Sequence, residues 1–183
     1  MPDRVSYRIT KLKNCLCTGG GVLKRVSLMM LLVIAVTFDA RSEGLKSEDR
    51  FEITDVMSSY ALALDTKDYP LLRSLFSVDV EVTMIFDSDS PDGGEVKVTG
   101  IEDWIEYVKK ALDGTAASQH LLGNPLIHFN GEQAVVRTDL QATEYYKDTK
   151  KAKTTVWGSY ETHMIKDKSW KITKHTLTSI GSE

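Results

Sequence analysis

The sequence predicts an α+β fold in which about three helices come first and a strongly curved, mainly antiparallel sheet follows. Apolar residues recur at helical spacing before position 113, long alternating runs fill the chain beyond it, and Asn130-Gly131, a strong hairpin signal, separates two of those runs. Long strands twist and curl, so the sheet should offer the helices a concave face.

The elements follow in order. Ser47 is placed to cap a first helix with Glu48 and Asp49 in its first turn, and Ile53, Val56, Met57, Tyr60, Ala61 and Leu64 form its buried stripe. A short second helix has Asp68 as its N-cap, Pro70 in its first turn, and Leu71, Leu72, Leu75 and Phe76 as its buried side. VEVTMIF reads as a strand, DSDSPDGGE as an exposed turn and EVKVT as a second strand. After Gly100, Ile101, Trp104, Ile105, Val108 and Leu112 mark a third helix. Four extended segments complete the chain: QHLLGNPLIHF, EQAVVRTDLQATEYY, TTVWGSYETHMI and SWKITKHTLTSI.

The chain has 183 residues, 42% of them hydrophobic and 27% charged, enough for one sizeable core and too few for two comfortable ones. One domain is expected over 45–183. A net charge of −3 with scattered basic residues argues against nucleic acid as a partner, because phosphate binding needs clustered Lys and Arg.

Residues 1–44 differ in composition. Lys24 and Arg25, the apolar run Val26 to Phe38 and the small-residue site Ala40-Arg41-Ser42 follow the order of a secretory signal peptide, cleaved near Ser42, with a periplasmic or secreted product. An uncleaved anchor, or a cytoplasmic chain with a disordered leader, is the alternative. The stretch ahead of Lys24 is long for such a signal and leaves room for a start further along, for example at Val22. Cys15 and Cys17 both fall in this leader, so neither a disulfide framework nor thiolate chemistry is expected of the mature domain.

YALALDTKDY, at 60–69, holds the chemistry. Asp68 is explained as a cap, whereas Asp65 stands at the edge of an apolar stripe and at a helix C-terminus, where the dipole disfavours a carboxylate. A donor should pair with it, and the four histidines are the natural candidates. His120 opens a long strand among apolar residues, while His128, His163 and His175 stand among polar and charged neighbours. On period-two spacing His120 shares a face with Leu122, Asn124, Leu126 and His128, so spacing alone leaves both a core and a catalytic reading of His120 open. No HExxH, GxSxG, GxGxxG or P-loop pattern occurs, and no histidine spacing suggests a metal site.

The segments ITDVMSSYALALDTKDYPLLRSLFSVDVEV, G-IEDWIEYV, SQHLLGNPLIHFNGEQAVVRT, VWGSYETHMI and SWKITKHTL resemble, in kind and order, a SnoaL-like domain of the nuclear transport factor two-like superfamily, over Glu48 to Ile180. The resemblance implies a cone-shaped barrel of three helices on a curved sheet around one apolar pocket, often in a homodimer. In dehydratase and dehydrochlorinase members an Asp ending the first helix and a His early in the sheet form a catalytic pair, and Asp65 and His120 match them. His120 would then take a proton from carbon, with Asp65 fixing its tautomer and stabilising the imidazolium, and no cofactor or metal would be needed. Tyr60 and Tyr160 are candidates to donate a phenol to the substrate, Asn124 to orient a substrate oxygen and Trp157 to line the pocket, whereas Arg137 reads as a solvated outer-face residue. The expected activity is dehydration, elimination or double-bond isomerisation of a small apolar molecule. The alternative is a non-catalytic exported domain that binds a small ligand or a partner, favoured if Met84, Phe86, Trp157 and Met164 fill the pocket.

Overall fold

The computed structural model describes residues 46–86, 94–148, 150 and 153–183. The leader expected over 1–44, its cleavage site and most of the DSDSPDGGE turn lie outside these residues.

Helix α1 runs over 46–66. Ser47 therefore lies inside it rather than capping it. Ile53, Met57, Tyr60, Ala61 and Leu64 are buried on one side, as their three- and four-residue spacing requires. The helix ends in a Schellman motif: the Asp68 N–H donates to Ala63 O at 2.9 Å and the Lys67 N–H to Leu64 O at 3.2 Å, with Lys67 left-handed at φ 55°. Lys67 is not the glycine usual at this position. Its ammonium donates to Leu112 O at 2.8 Å and Thr115 O at 2.9 Å, satisfying two carbonyls and tying the end of α1 to the segment ahead of the sheet.

Asp68 then caps α2 (Tyr69–Leu75), accepting the Leu71 N–H at 2.9 Å, and Pro70 sits in the first turn. Strand β1 (Phe76–Phe86) pairs with β2 (Gly94–Thr99). Helix α3 (Ile101–Leu112) buries Ile101, Trp104, Ile105, Val108 and Leu112, with Glu102 and Asp103 in its first turn and Lys109 and Lys110 in its last. Strands β3 (Thr115–Asn130), β4 (Gln133–Tyr146), β5 (Lys153–Lys166) and β6 (Trp170–Ser182) follow as an antiparallel meander.

The six strands form one sheet in the order β2-β1-β6-β5-β4-β3. Its pairs are antiparallel except β1 with β6, which run parallel because the chain returns to the first strand only at its end. The sheet is not closed among the described residues; β2 and β3 are its edges. The expected α+β class is thus observed, as helices packed on one open, mixed, mainly antiparallel sheet. Val80, Val82, Val136, Leu140, Met164 and Ile172 meet the apolar faces of the helices in one core, each worth about 1.5–3 kcal/mol of burial.

Among the register shifts of the described strands, three bear on the site. In β3, Gly123 pairs with Asp139 and Leu126 with Arg137, so Asn124 and Pro125 together oppose Thr138. In β6, His163 pairs with Lys174 and Met164 with Ile172, leaving Thr173 as an extra residue, and a further shift falls between Trp157 and Gly158 of β5. Each bulge bends the strand and reverses which side chains face inward.

Candidate active site

The end of α1 meets the start of β3. Asp65 Oδ1 lies 2.7 Å from His120 Nδ1, and Asp65 Oδ2 accepts the backbone N–H of His120 at 3.0 Å. One carboxylate thus holds both the ring and the main chain of the same residue. An ionised carboxylate only accepts, so the neutral imidazole carries its proton on Nδ1 and keeps a lone pair on Nε2. The side chains are 8% exposed for His120 and 23% for Asp65, so water weakens the contact little. This pairing accounts for an acid at a helix C-terminus.

His120 lines a cavity of about 160 Å³ between α1, α3 and the sheet. Leu64, Val82, Trp104, Val108, Leu140 and Val156 supply much of an apolar wall. Tyr60 and Tyr160 also line it; their ring centroids lie 5.6 Å apart and the phenols share a hydrogen bond. Burial is the main cause that raises the Tyr60 phenol well above its ordinary value, with the neighbouring Tyr160 adding to it. Burial likewise raises Tyr160. Both therefore stay protonated; Tyr60 donates its proton to the Tyr160 oxygen, which leaves only the Tyr160 proton for another acceptor.

Two expected pocket residues lie elsewhere. Asn124 is exposed at the β3 bulge with φ 50°, and its amide donates to Asp139 Oδ2 at 2.8 Å. The bulge breaks the alternation that would have kept it beside His120. Trp157 points away from the cavity because its neighbour Val156 points in and successive residues of a strand face opposite sides. Met84 and Phe86 line the cavity and Met164 is in the core, so of the four residues expected to fill a non-catalytic pocket only two border it. Arg137 is exposed and pairs with Asp139 at 3.0 Å, the outer-face position expected of it.

Beside apolar wall residues that were not singled out, an imidazole and a carboxylate line the cavity without having been foreseen. His175 is 1% exposed, and its ring centroid lies 4.4 Å from that of Tyr160 and 4.8 Å from that of Tyr60. Burial lowers its imidazole from the usual 6.5 to about 3, which keeps it neutral. The extra Thr173 reverses the parity of β6, so alternation counted from Ile172 would place Lys174 inward. Glu144 also lines the cavity, on the inward side of β4 with Leu140 and Ala142, and accepts the Tyr146 hydroxyl at 3.2 Å. The L-x-A-x-E alternation of β4 was the available signal.

Helices packed on an open six-stranded sheet, with a carboxylate-held histidine beside an apolar cavity between them, make an α+β fold of the nuclear transport factor two-like kind. The SnoaL-like domain family matches residues 46–176, and the chain belongs to it. No curated protein matches it in sequence. Among solved structures, a candidate scytalone dehydratase from Novosphingobium aromaticivorans superposes with a TM-score of 0.65 at 21% identity, covering 75% of this chain and 88% of that one. Hexachlorocyclohexane dehydrochlorinase LinA-type3 from Novosphingobium barchaimii gives 0.64 at 16% identity, over 75% and 90%. The beta subunit of a candidate aromatic-ring-hydroxylating dioxygenase, again from N. aromaticivorans, gives 0.60 at 15% identity, over 74% and 91%. At such identities these likenesses concern the fold.

Proposed function

We propose that this chain is a cofactor-independent lyase or isomerase that removes a proton from carbon in a small, largely apolar molecule. The observation that carries the reading is the double contact of Asp65 with the His120 ring and backbone at the wall of an apolar cavity. His120 Nε2 takes the proton, and Asp65 stabilises the imidazolium through Nδ1–H. The electron pair left on carbon either expels a leaving group from the neighbouring carbon, which departs with the imidazolium's proton or leaves that proton to solvent, or shifts a double bond, and the imidazolium then returns its proton to the carbon at the far end of the shifted system. The Tyr160 phenol, protonated and accepting from Tyr60, is suited to donate its own proton to the leaving group or to a polarised oxygen. The dehydratase and dehydrochlorinase among the structural neighbours support this reaction class.

The test is a panel of hydroxylated, halogenated and enone-forming compounds in deuterated buffer, followed for elimination and for deuterium uptake at carbon. His120→Gln should lower any turnover found by roughly 10²–10⁴-fold, the usual share of a general base. In Asp65→Asn, ¹⁵N shifts of the His120 ring should also show loss of the single Nδ1–H tautomer. Equal turnover in the wild type and His120→Gln would sink the proposal. A second reading, a binding or partner domain, draws support from the dioxygenase beta subunit that shares the fold; ligand binding without turnover across the panel would favour it.

A further inference from the structure

The acid–base pair leaves one charge on the cavity wall without a partner. Glu144 stands on β4 two residues beyond Ala142, and both line the cavity. Among the described residues the Glu144 carboxylate accepts one hydrogen bond, from the neutral Tyr146 hydroxyl at 3.2 Å, and it forms no ion pair. A carboxylate has about four acceptor sites, so Tyr146 uses only part of its capacity.

The cations nearby are turned elsewhere. Lys67 and Lys147 give their ammonium groups to the carbonyls of Leu112, Thr115 and Asp113. No Lys or Arg among the described residues lines the cavity, and the two imidazoles that do, His120 as the resting base and His175 through burial, carry no charge. Burial is the main cause that raises the Tyr160 phenol on the same wall, and the charges of Asp65 and Glu144 add to it. The cavity is therefore negative inside, in surroundings that screen a charge less than water does.

A carboxylate without a cation, beside the rings of Phe86, Trp104, Tyr107 and Tyr160, is the chemistry that recognises an organic ammonium group. The charge attracts it, the open acceptor sites take its N–H bonds, and aromatic faces favour a cation. A neutral donor gains only the hydrogen bond, and an anion is repelled. The spacing fits as well. His120 pairs with Ala142 across the β3–β4 ladder, so Glu144 is its diagonal neighbour on the same face, about 7–8 Å away. A volume of about 160 Å³ suits a single ring with a short arm.

We infer that the cavity takes an organic ammonium ion about one ring in size, held at Glu144 by its charged nitrogen with its carbon skeleton lying towards His120. The inference names a substrate class for the proposed site and rests on that reading for the choice of site.

The experiment measures dissociation constants of the full chain, at about pH 7, for three probes of nearly one shape: benzylamine, an ammonium ion at that pH, benzyl alcohol, a neutral donor, and benzoate, an anion. Benzylamine should bind at least tenfold more tightly than either of the others, and nuclear Overhauser contacts should place its methylene at the Glu144 side chain. In Glu144→Gln, which keeps the shape and an acceptor for Tyr146, that preference should fall to threefold or less. Glu161→Gln removes an exposed charge on the outer face and should leave the preference unchanged, which separates the cavity charge from the net charge of the chain. Should Glu144→Gln fail to fold, by circular dichroism, the Overhauser contacts in the wild type decide. Benzylamine binding no tighter than the alcohol, a preference unchanged in Glu144→Gln or lost equally in Glu161→Gln, contacts away from Glu144, or no binding of any probe would overturn the inference. Because binding is read without turnover, the two ideas separate. Ammonium preference in a chain with no elimination activity sinks only the catalytic reading, and turnover of neutral compounds without ammonium preference sinks only this one.

Discussion

His175 shows how one residue couples stability to pH. Its folded-state value of about 3 lies below the ordinary 6.5, because burial penalises the charged ring. The unfolded chain then binds the proton first. The stability this neutral histidine contributes is complete above about pH 6.5 and is lost as pH falls from there towards 3, at about 1.4 kcal/mol per pH unit. Urea unfolding at pH 7 and pH 5 should show the wild type losing roughly 2 kcal/mol more than His175→Gln between the two. Parallel losses would mean that His175 is already charged, or solvated, in the fold. At this scale the sequence was informative where a residue lacked a local reason. Asp65 stood out because no cap or surface explained it, and the contact with His120 supplied the reason. His175 stood among polar neighbours and offered no such anomaly, since Thr173 hides its burial from any count of alternation.

The helices and most strand positions were legible because their periodicities follow from backbone geometry alone. The buried residues of α3 and the capping Asp68 are where their spacing put them. What alternation could not carry was the bulges. Gly123-Asn124-Pro125 contains a residue at φ 50° and one with no N–H to give the ladder, and reading a continuous strand through it misplaced Asn124. Gly158 marks a second irregularity. A Cβ built there would come 2.4 Å from the backbone oxygen of Thr178 and 3.2 Å from its carbonyl carbon, so β5 and β6 approach as closely as they do only because a hydrogen stands at that position. Backbone cannot rotate aside as a side chain could. Gly158→Ala should therefore force the strands apart and cost about 1–3 kcal/mol, lowering Tm by roughly 2–12 °C for a domain of this size. An unchanged melting temperature would show that the sheet's curl does not depend on that contact.

At the scale of the whole molecule, contacts at both ends of α1 hold the helix over the sheet. Near its start Lys166 donates to Asp49 at 2.6 Å and Glu52 at 2.9 Å, bonds that raise its ammonium to about 12. At its other end Lys67 and Asp65 bind the residues around the start of β3. The helix spans the cavity without filling it, and no local pattern in the sequence encodes that space, because its walls come from segments far apart in the chain. Apolar walls that border open space forgo some of the packing contacts that a filled core would make. That a chain keeps such a space is expected where the space serves a ligand, since selection tolerates lost stability at functional sites. Ala142 tests the balance. It lines the cavity, opposite His120 in the β3–β4 ladder, and a leucine there would occupy part of the space. Ala142→Leu should fill part of that space, change the melting temperature by no more than a few degrees, and lower any turnover found for the wild type at least tenfold. A variant that turns over substrate as fast as the wild type and melts much lower would mean that the leucine turns away from the cavity and strains the sheet instead.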